Sequence, residues 1–545
     1  MSSLLVVIIA AIIFIMGYIF YAKRIAKLWD IKSENETPAK KYYDGVDYVP
    51  AKHWLILFGH HFSSIAGAGP ILGPVIAGMV WGWFPTVLWL VFGSVLLGGV
   101  HDFSALMASI RTGGKSIADV CETTMSKRAK MIFASFIWLT LVLVIAVFAS
   151  AAAKTLSSTP QVVIPTFGLI FIAIFVGFLI YKMKVNLPFA TVIGIGLLFA
   201  LIFFGYRFPI SIGPHAFEIW VFILLGYSYI ASIMPVNILL QPRDYLAAFV
   251  LFIGLLAGYI GLFITHPVIH TPVFISFNSA KGSLWPMLFV IVACGAISGF
   301  HSLISGGTTS KQLADEKDAK RIGYGAMITE SVLAVLALLS VTAGLYWKGN
   351  HPGLVYPELM KGGNWIKTFG TGYGEIVKPL FGVFGLLIGI TMLKTFILTT
   401  LDSATRIARY IGEELFGEGL KLKFIANKYV STAIIIGFAL YLSLGAWQSI
   451  WPIFGASNQL VAALALFVAT TLLVAKGKNS LYTLIPAIFM LVTTVTAIII
   501  EIKLFLPKGK ILLSVIGFVL LILTIVLLYD VVKVIIRRGT RQKVR

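Results

Sequence analysis

The chain has 545 residues, 59% of them hydrophobic and 12% charged, with a mean hydropathy of +0.95 and a formal net charge of +21. Soluble domains carry roughly 25% charged residues, so half that share over this length excludes a water-soluble globular protein. The basic excess sits in short clusters between apolar runs, which excludes nucleic acid as a partner and leaves membrane lipid, while two cysteines (Cys121 and Cys294) exclude a disulfide scaffold.

A membrane-crossing helix needs about 20 mainly apolar residues. Fifteen segments meet that need: 3–21, 53–82, 84–111, 131–153, 162–181, 187–206, 217–240, 245–265, 285–309, 322–347, 375–403, 428–446, 451–475, 480–501 and 511–535. The first is apolar from Leu4 and ends in Tyr21-Ala22-Lys23-Arg24. A signal peptide carries its positive charges first, so a retained span is expected. With the N-terminus outside, the loops after odd-numbered spans hold most of the 43 lysines and arginines. The positive-inside rule therefore predicts N-out/C-in and an odd number of spans. No phosphate-binding loop of the Walker type occurs. The longest outer segment, 348–374, leaves no room for a soluble catalytic or receptor domain.

The second span contains Ser63-Ser64-Ile65-Ala66-Gly67-Ala68-Gly69-Pro70-Ile71-Leu72-Gly73-Pro74. Three glycines and two prolines in eight residues cannot stay in a regular helix. Unwound backbone at membrane depth survives only beside protein or a cavity, and transporters build substrate sites there. Ser63, Ser64, Gly67 and Gly69 are therefore substrate-site candidates. The seventh span repeats the pattern Ser-x-Ile-Ala-x-x-x-Pro at Ser228-Tyr229-Ile230-Ala231-Ser232-Ile233-Met234-Pro235. This predicts a second break and adds Ser228, Tyr229 and Ser232. Spans five apart run in opposite senses, as an inverted repeat requires. The expected plan is an all-α polytopic protein with a five-plus-five core. Its segments are 1–51 (first helix and linker), 52–208 (first repeat), 209–412 (second repeat) and 413–545 (peripheral helices). This arrangement is similar to the amino acid–polyamine–cation transporter superfamily with its LeuT-type fold.

Ionisable groups inside spans are functional candidates. Here they are His60, His61, His101, Asp102, His301, Glu330, Lys394 and Asp402. Counting along their spans puts His60, His101, His301, Glu330 and Lys394 about 10–15 Å inside the inner boundary. Ser302 and Ser305 add hydroxyls one turn apart beside His301. Three readings of this cluster stand: a structural network, a proton relay, and a metal site such as zinc on His60, His61, His101 and His301. Asp402 and Arg406 close the eleventh span, and with Arg243 and Asp244 they are candidates for an inner gate. Asn458 and Gln459 read as helix–helix contacts.

Together, Gly59-His60-His61-Phe62, Ala66-Gly67-Ala68-Gly69-Pro70, Gly99-Val100-His101-Asp102-Phe103, Gln241-Pro242-Arg243-Asp244-Tyr245, Phe300-His301-Ser302-Leu303-Ile304-Ser305-Gly306, Leu401-Asp402-Ser403-Ala404-Thr405-Arg406 and Pro452-Ile453-Phe454-Gly455-Ala456-Ser457-Asn458-Gln459 resemble the carbon starvation protein A (CstA) family. The resemblance implies import of peptides or small carboxylates such as pyruvate during carbon limitation, coupled to H⁺, with Na⁺ as the second candidate ion. It also implies a bacterial or archaeal cytoplasmic membrane. Two other functions are compatible with the residues: an intramembrane metal-binding protein or enzyme using the histidines, and a starvation sensor without transport.

Overall fold

The structure is a computed structural model that describes residues 1–236, 238–361, 364–444 and 447–543. Apart from a hairpin pairing Asn278–Ser279 with Gly282–Ser283 and two isolated bridges, its regular structure is helical. Apolar sequence and membrane solvent demand this, because every backbone N–H and C=O must be satisfied within the protein.

The helices follow in chain order. Helix α1 is Ser3–Leu28, α2 is Trp54–Ile65, α3 is Gly69–Trp81 and α4 is Trp83–Arg111. A short α5 (Ile117–Thr124) leads into α6 (Lys127–Ser158), followed by α7 (Val163–Tyr181), α8 (Leu187–Arg207), α9 (Ala216–Ile233) and α10 (Leu240–Thr265). Three short pieces come next: α11 (Leu284–Ile291), α12 (Ala293–Ala296) and α13 (Gly299–Gly307). The chain then forms α14 (Gly325–Thr342), α15 (Trp365–Phe381), α16 (Gly385–Glu414), α17 (Lys428–Ser443), α18 (Trp447–Ala475), α19 (Leu481–Phe505) and α20 (Ile511–Lys543).

Among the described residues, twelve helices are long and apolar enough to cross a membrane, or thirteen with the bent pair α2–α3 counted as one span. The expected fifteen differ because of interruptions. Segment 285–309 is the three-piece run α11–α13, and 428–446 is the 16-residue α17. The eleventh expected span, 375–403, straddles a turn: Gly382 (φ 52°, ψ −128°) ends α15, and α15 folds back along α16, with Gly370 against Ile390 and Gly374 against Leu386.

Two sides of the molecule are distinguishable. On one, Ile269 N bonds Met1 O at 3.0 Å, His270 N bonds Thr342 O at 2.8 Å, and Ile275 N bonds Trp81 O at 3.1 Å. We call this the N-terminal side. The other, the charged side, carries the pairs Arg111–Glu316, Lys130–Asp119 (2.6 Å) and Lys478–Asp30 (2.8 Å). The core lies between these sides. The span in α18 is 89% buried, against 28% for α1 and α8, which face lipid with residues such as Phe20, Phe189 and Val192.

The break between α2 and α3 has a local cause. Ala66 leaves helical geometry (φ −74°, ψ 53°), and the two helices meet at 42°. Pro70 enters at the first turn of α3, where its missing N–H costs nothing. The freed carbonyls of α2 are satisfied by another helix: Thr399 Oγ1 donates to Ser63 O (2.7 Å) and Thr400 Oγ1 to Ser64 O (3.0 Å).

The second break is not where the repeated pattern put it. Helix α9 runs unbroken through Ser228, Tyr229 and Ser232, and Pro235 lies beyond its end. The interruption falls instead at Val292 and at Ile297–Ser298, where the backbone becomes extended. The two broken runs meet on glycine. A Cβ on Gly73 would stand 2.6 Å from Ile291 O and 3.1 Å from Val292 Cα, and one on Gly69 would collide with Cys294 Sγ.

Candidate functional site

Around the two breaks, five elements converge. Gly67 presses on Thr400 of α16 and Phe148 of α6. Phe148 packs edge-on against Phe454 of α18 at 5.8 Å. Asn458, one helical turn further on, caps the second break from outside. Its Oδ1 accepts from Phe300 N (2.8 Å), and its Nδ2 donates to Ser298 Oγ (2.9 Å). Sequence reading gave Asn458 the general role of helix contact; the structure gives it the orphan donor at the start of α13. Of the expected substrate residues, Ser63, Ser64, Gly67 and Gly69 do lie at this crossing. Ser63 Oγ donates to Asp244 O (2.7 Å), and Ser64 Oγ sits 3.2 Å from Ser403 Oγ.

Ser228, Tyr229 and Ser232 do not. Ser228 Oγ lies 2.7 Å from Thr405 Oγ1 of α16. Tyr229 Oη donates to Tyr429 O (3.3 Å), and Ser232 Oγ is 3.4 Å from Thr432 Oγ1, both on α17. These three join α9 to its neighbours, and their shared pattern with Ser63–Pro70 does not mark a shared site.

The expected single polar cluster is two separate networks and one isolated residue. In the first network Asp102 of α4 holds two imidazoles. His101 Nδ1 lies 2.7 Å from Asp102 Oδ1, and His301 Nδ1 of α13 lies 2.7 Å from Asp102 Oδ2. On the far side of His301, Nε2 is 3.2 Å from Glu330 Oε2 of α14, at ion-pair distance but without hydrogen-bond alignment. All four side chains are at most 1% exposed. With Asp102 accepting at both Nδ1 positions, the chain Asp102–His301–Glu330 offers one proton two resting places, His301 Nε2 or Glu330. Among the described residues Ser305 Oγ and His101 Nε2 are buried without a partner, whereas Ser302 Oγ turns back to Gly299 O (2.7 Å).

The second network joins α2, α9, α10 and α16. His60 Nδ1 meets Asp244 Oδ2 at 2.8 Å, and the Gln312 amide lies 3.2 Å from His60 Nε2, which together specify the Nδ1–H tautomer. Arg243 pairs with Asp244 (2.6 Å) and with Asp402, and also donates to Tyr227 Oη. A buried arginine between two carboxylates is the geometry in which an ion pair survives desolvation. The expected gate pairing of Arg243, Asp244 and Asp402 is present as a contact. Tyr227, which closes the network, was missed because it reads as an ordinary aromatic of a span.

Arg406 stands apart from that trio. Its Nη2 donates to Ala231 O (2.8 Å) and Met234 O, capping the C-terminus of α9, and its Nη1 pairs with Asp47 (3.2 Å) in the loop before α2. Tyr410 Oη also donates to Asp47. The loop is folded by Asp44, whose Oδ1 accepts from the N–H groups of Val46, Asp47 and Tyr48 at 2.8, 2.9 and 2.9 Å. Burial alone would raise the Asp44 carboxyl, but the three backbone donors hold it below its ordinary value.

The four histidines are not gathered round one point. His60 turns to Asp244, His61 turns to Thr309 Oγ1 (2.8 Å), and the other two share Asp102. Among the described residues no group of three or more His, Cys, Asp or Glu could hold a metal ion, so the zinc reading finds no support. Lys394 is also displaced from its expected level. Helix α16 continues to Glu414, so twenty residues, about 30 Å of helix, separate Lys394 from the charged end, and it lies on the N-terminal side of the break.

A bundle with two helices broken at mid-depth and buried charge beside each break defines a multi-pass membrane transport fold. The same fold is found in a manganese transporter of Eremococcus coleocola solved with an aromatic bis-isothiourea substituted compound (TM-score 0.52, 13% identity, 93% of this chain and 99% of that one). The family described as carbon starvation protein CstA matches residues 2–373 and 358–497. The chain belongs to that family. Its relatives include the pyruvate/proton symporter BtsT of Escherichia coli K12 (33% identity, 91% of this chain and 81% of that one). Peptide transporters CstA of Campylobacter jejuni (32%, 90% and 79%) and Bacillus subtilis (32%, 90% and 89%) are also similar.

Proposed function

We propose that the protein is a proton-coupled secondary transporter that imports a small carboxylate such as pyruvate, or short peptides. Its membrane is the cytoplasmic membrane, with the N-terminal side outside. The observation that carries the coupling is the chain Asp102–His301–Glu330. It ties the broken run α13 to α4 and α14, so moving a proton along it changes the charge that holds those helices together. Relatives named as a proton symporter and as peptide transporters support the substrate class and the ion.

The architecture we assign is a five-plus-five inverted repeat in a different register from the sequence pattern. The first half is α2–α3, α4, α6, α9 and α10; the second is α11–α13, α14, α16, α17 and α18. Mirrored neighbours support it: α2 packs on α10 as α11 packs on α18, α6 on α9 as α16 on α17, and α6 meets α16 at the centre. Helices α7, α8 and α15 are then insertions. The Arg243–Asp402 network and the Asp47–Arg406 pair both sit toward the charged side of the breaks, where an inner gate belongs.

Purified full-length chain in proteoliposomes tests this. Labelled pyruvate or dialanine is expected to accumulate when the interior is made alkaline, and a protonophore should abolish it. Uptake of neither compound, or uptake indifferent to the gradient, overturns the reading.

A further inference from the structure

Lys394 is 2% exposed, and among the described residues its Nζ has no hydrogen-bond partner. Among the described residues no acidic side chain interacts with it electrostatically. The buried arginines nearest the breaks are answered: Arg243 by Asp244 and Asp402, Arg406 by Asp47 and two carbonyls. Leu387, Ile390, Ile397 and Leu398 of its own helix are all buried, the first two packed against Val162. An isolated ammonium in such a place costs several kcal/mol of desolvation. The charged form is favoured there only when a counter-charge is supplied, and an anion arriving from outside the protein supplies one.

A second group points the same way. Thr391 Oγ1, one turn earlier on the same face of α16, is 2% exposed and also has no partner among the described residues. Helical side chains lean toward the helix N-terminus, so the lysine stem runs toward Thr391 and the N-terminal side. Both donors then lie on one face of α16 just beyond the break, Lys394 about 8–9 Å along the helix from Thr399 and Thr400, which clasp the freed carbonyls of α2.

We propose that Lys394 Nζ, assisted by Thr391 Oγ1, binds the carboxylate of the transported substrate. This rests on the transport reading above and deepens it. It explains how one carrier fold accommodates both pyruvate-like acids and peptides, which share a carboxylate and little else. It also separates labour in the core: Lys394 recognises the anion, and the Asp102–His301–Glu330 chain handles the proton.

Ligand-induced thermal stabilisation of the purified protein tests the proposal without requiring transport. Pyruvate and dialanine are compared with pyruvamide and dialanine amide, which lack the charge. The wild type is expected to be stabilised by at least one of the carboxylates and by neither amide. K394M should lose that stabilisation, with the half-saturating concentration rising about a hundredfold or more, and K394R should keep much of it. Because the lysine has no protein partner, K394M without ligand should melt no lower than the wild type; a structural lysine would make it melt lower. T391V should weaken carboxylate binding severalfold. Unchanged carboxylate stabilisation in K394M, equal response to the amides, or a lowered ligand-free melting temperature overturns the assignment. Carboxylate stabilisation lost in K394M, in a wild type that fails to transport, would keep this site and reject the transport reading.

Discussion

His301 Nδ1 and Asp102 Oδ2 lie 2.7 Å apart, fastening the last piece of a broken helix to the neighbouring α4. Replacing Asp102 by Asn keeps the side-chain shape and removes the charge that both imidazoles share. A hydrogen bond to a charged group contributes about 1.5–3 kcal/mol. D102N should therefore lower gradient-driven uptake roughly tenfold or more. Exchange of labelled for unlabelled substrate, with no gradient, should persist. Loss of both activities in a folded protein would place Asp102 in substrate binding instead.

The Asp47–Arg406 pair, beside Tyr410, is part of the inner gate proposed above. Asp47 is partly exposed, so the pair contributes at most about 1 kcal/mol. D47N should shift the resting equilibrium toward an open charged side by up to about fivefold. A cysteine introduced at Ser403, which lies against Ser64, would report this as faster labelling from the charged side. Slower labelling would contradict the gate assignment.

The turn at Asp44 gives this latch a pH dependence. Its carboxyl is depressed in the folded loop by three backbone N–H groups. The stabilisation is therefore complete above the unfolded value of about 3.9 and disappears as pH falls through the lower folded value. Hydrogen exchange at Val46, Asp47 and Tyr48 should be slow and flat from pH 8 to 5 after correction for intrinsic rates, and should accelerate below about pH 4. D44A should show the fast rate throughout that range.

Gly73 lies against the backbone of Ile291 and Val292, which cannot yield as a flexible side chain can. G73A should cost about 1–3 kcal/mol by overpacking, seen as a lower melting temperature and reduced uptake. Gly196 has open space at its Cβ position, so G196A is the control and should match or exceed the wild type. Equal melting temperatures for the two variants would show that the broken helices part easily at this crossing.

Much of this arrangement was legible in the chain. Apolar runs predicted the helices, and Gly67, Gly69, Pro70, Gly73 and Pro74 announced the first break, because Pro and Gly act locally on the backbone. The second break carries no proline. Ile297 and Ser298 leave the helix where Asn458, 160 residues away, holds the Ser298 hydroxyl and the Phe300 N–H. Met234-Pro235 looked like a break and proved to be the end of α9. Depth counting put His101, His301 and Glu330 at one level, and the structure joins them through Asp102, since each was measured along a helix whose charged end was visible in the sequence. It failed for Lys394, because α16 continues well past the point where its apolar run stops. Asp47 and Tyr227 carried no signal, since their roles come from partners far along the chain.

The Arg243–Asp402 pair also bears on how the protein is made. Arg243 leaves the ribosome 159 residues before Asp402. At about 5–20 residues per second that interval is roughly 8–30 s. Asp244, the next residue, gives the arginine an immediate counter-charge while α10 waits in the bilayer. A chain lacking Asp244 would have to hold a bare guanidinium in lipid until α16 is synthesised, leaving the half-made protein open to quality-control proteolysis even if its finished fold were sound.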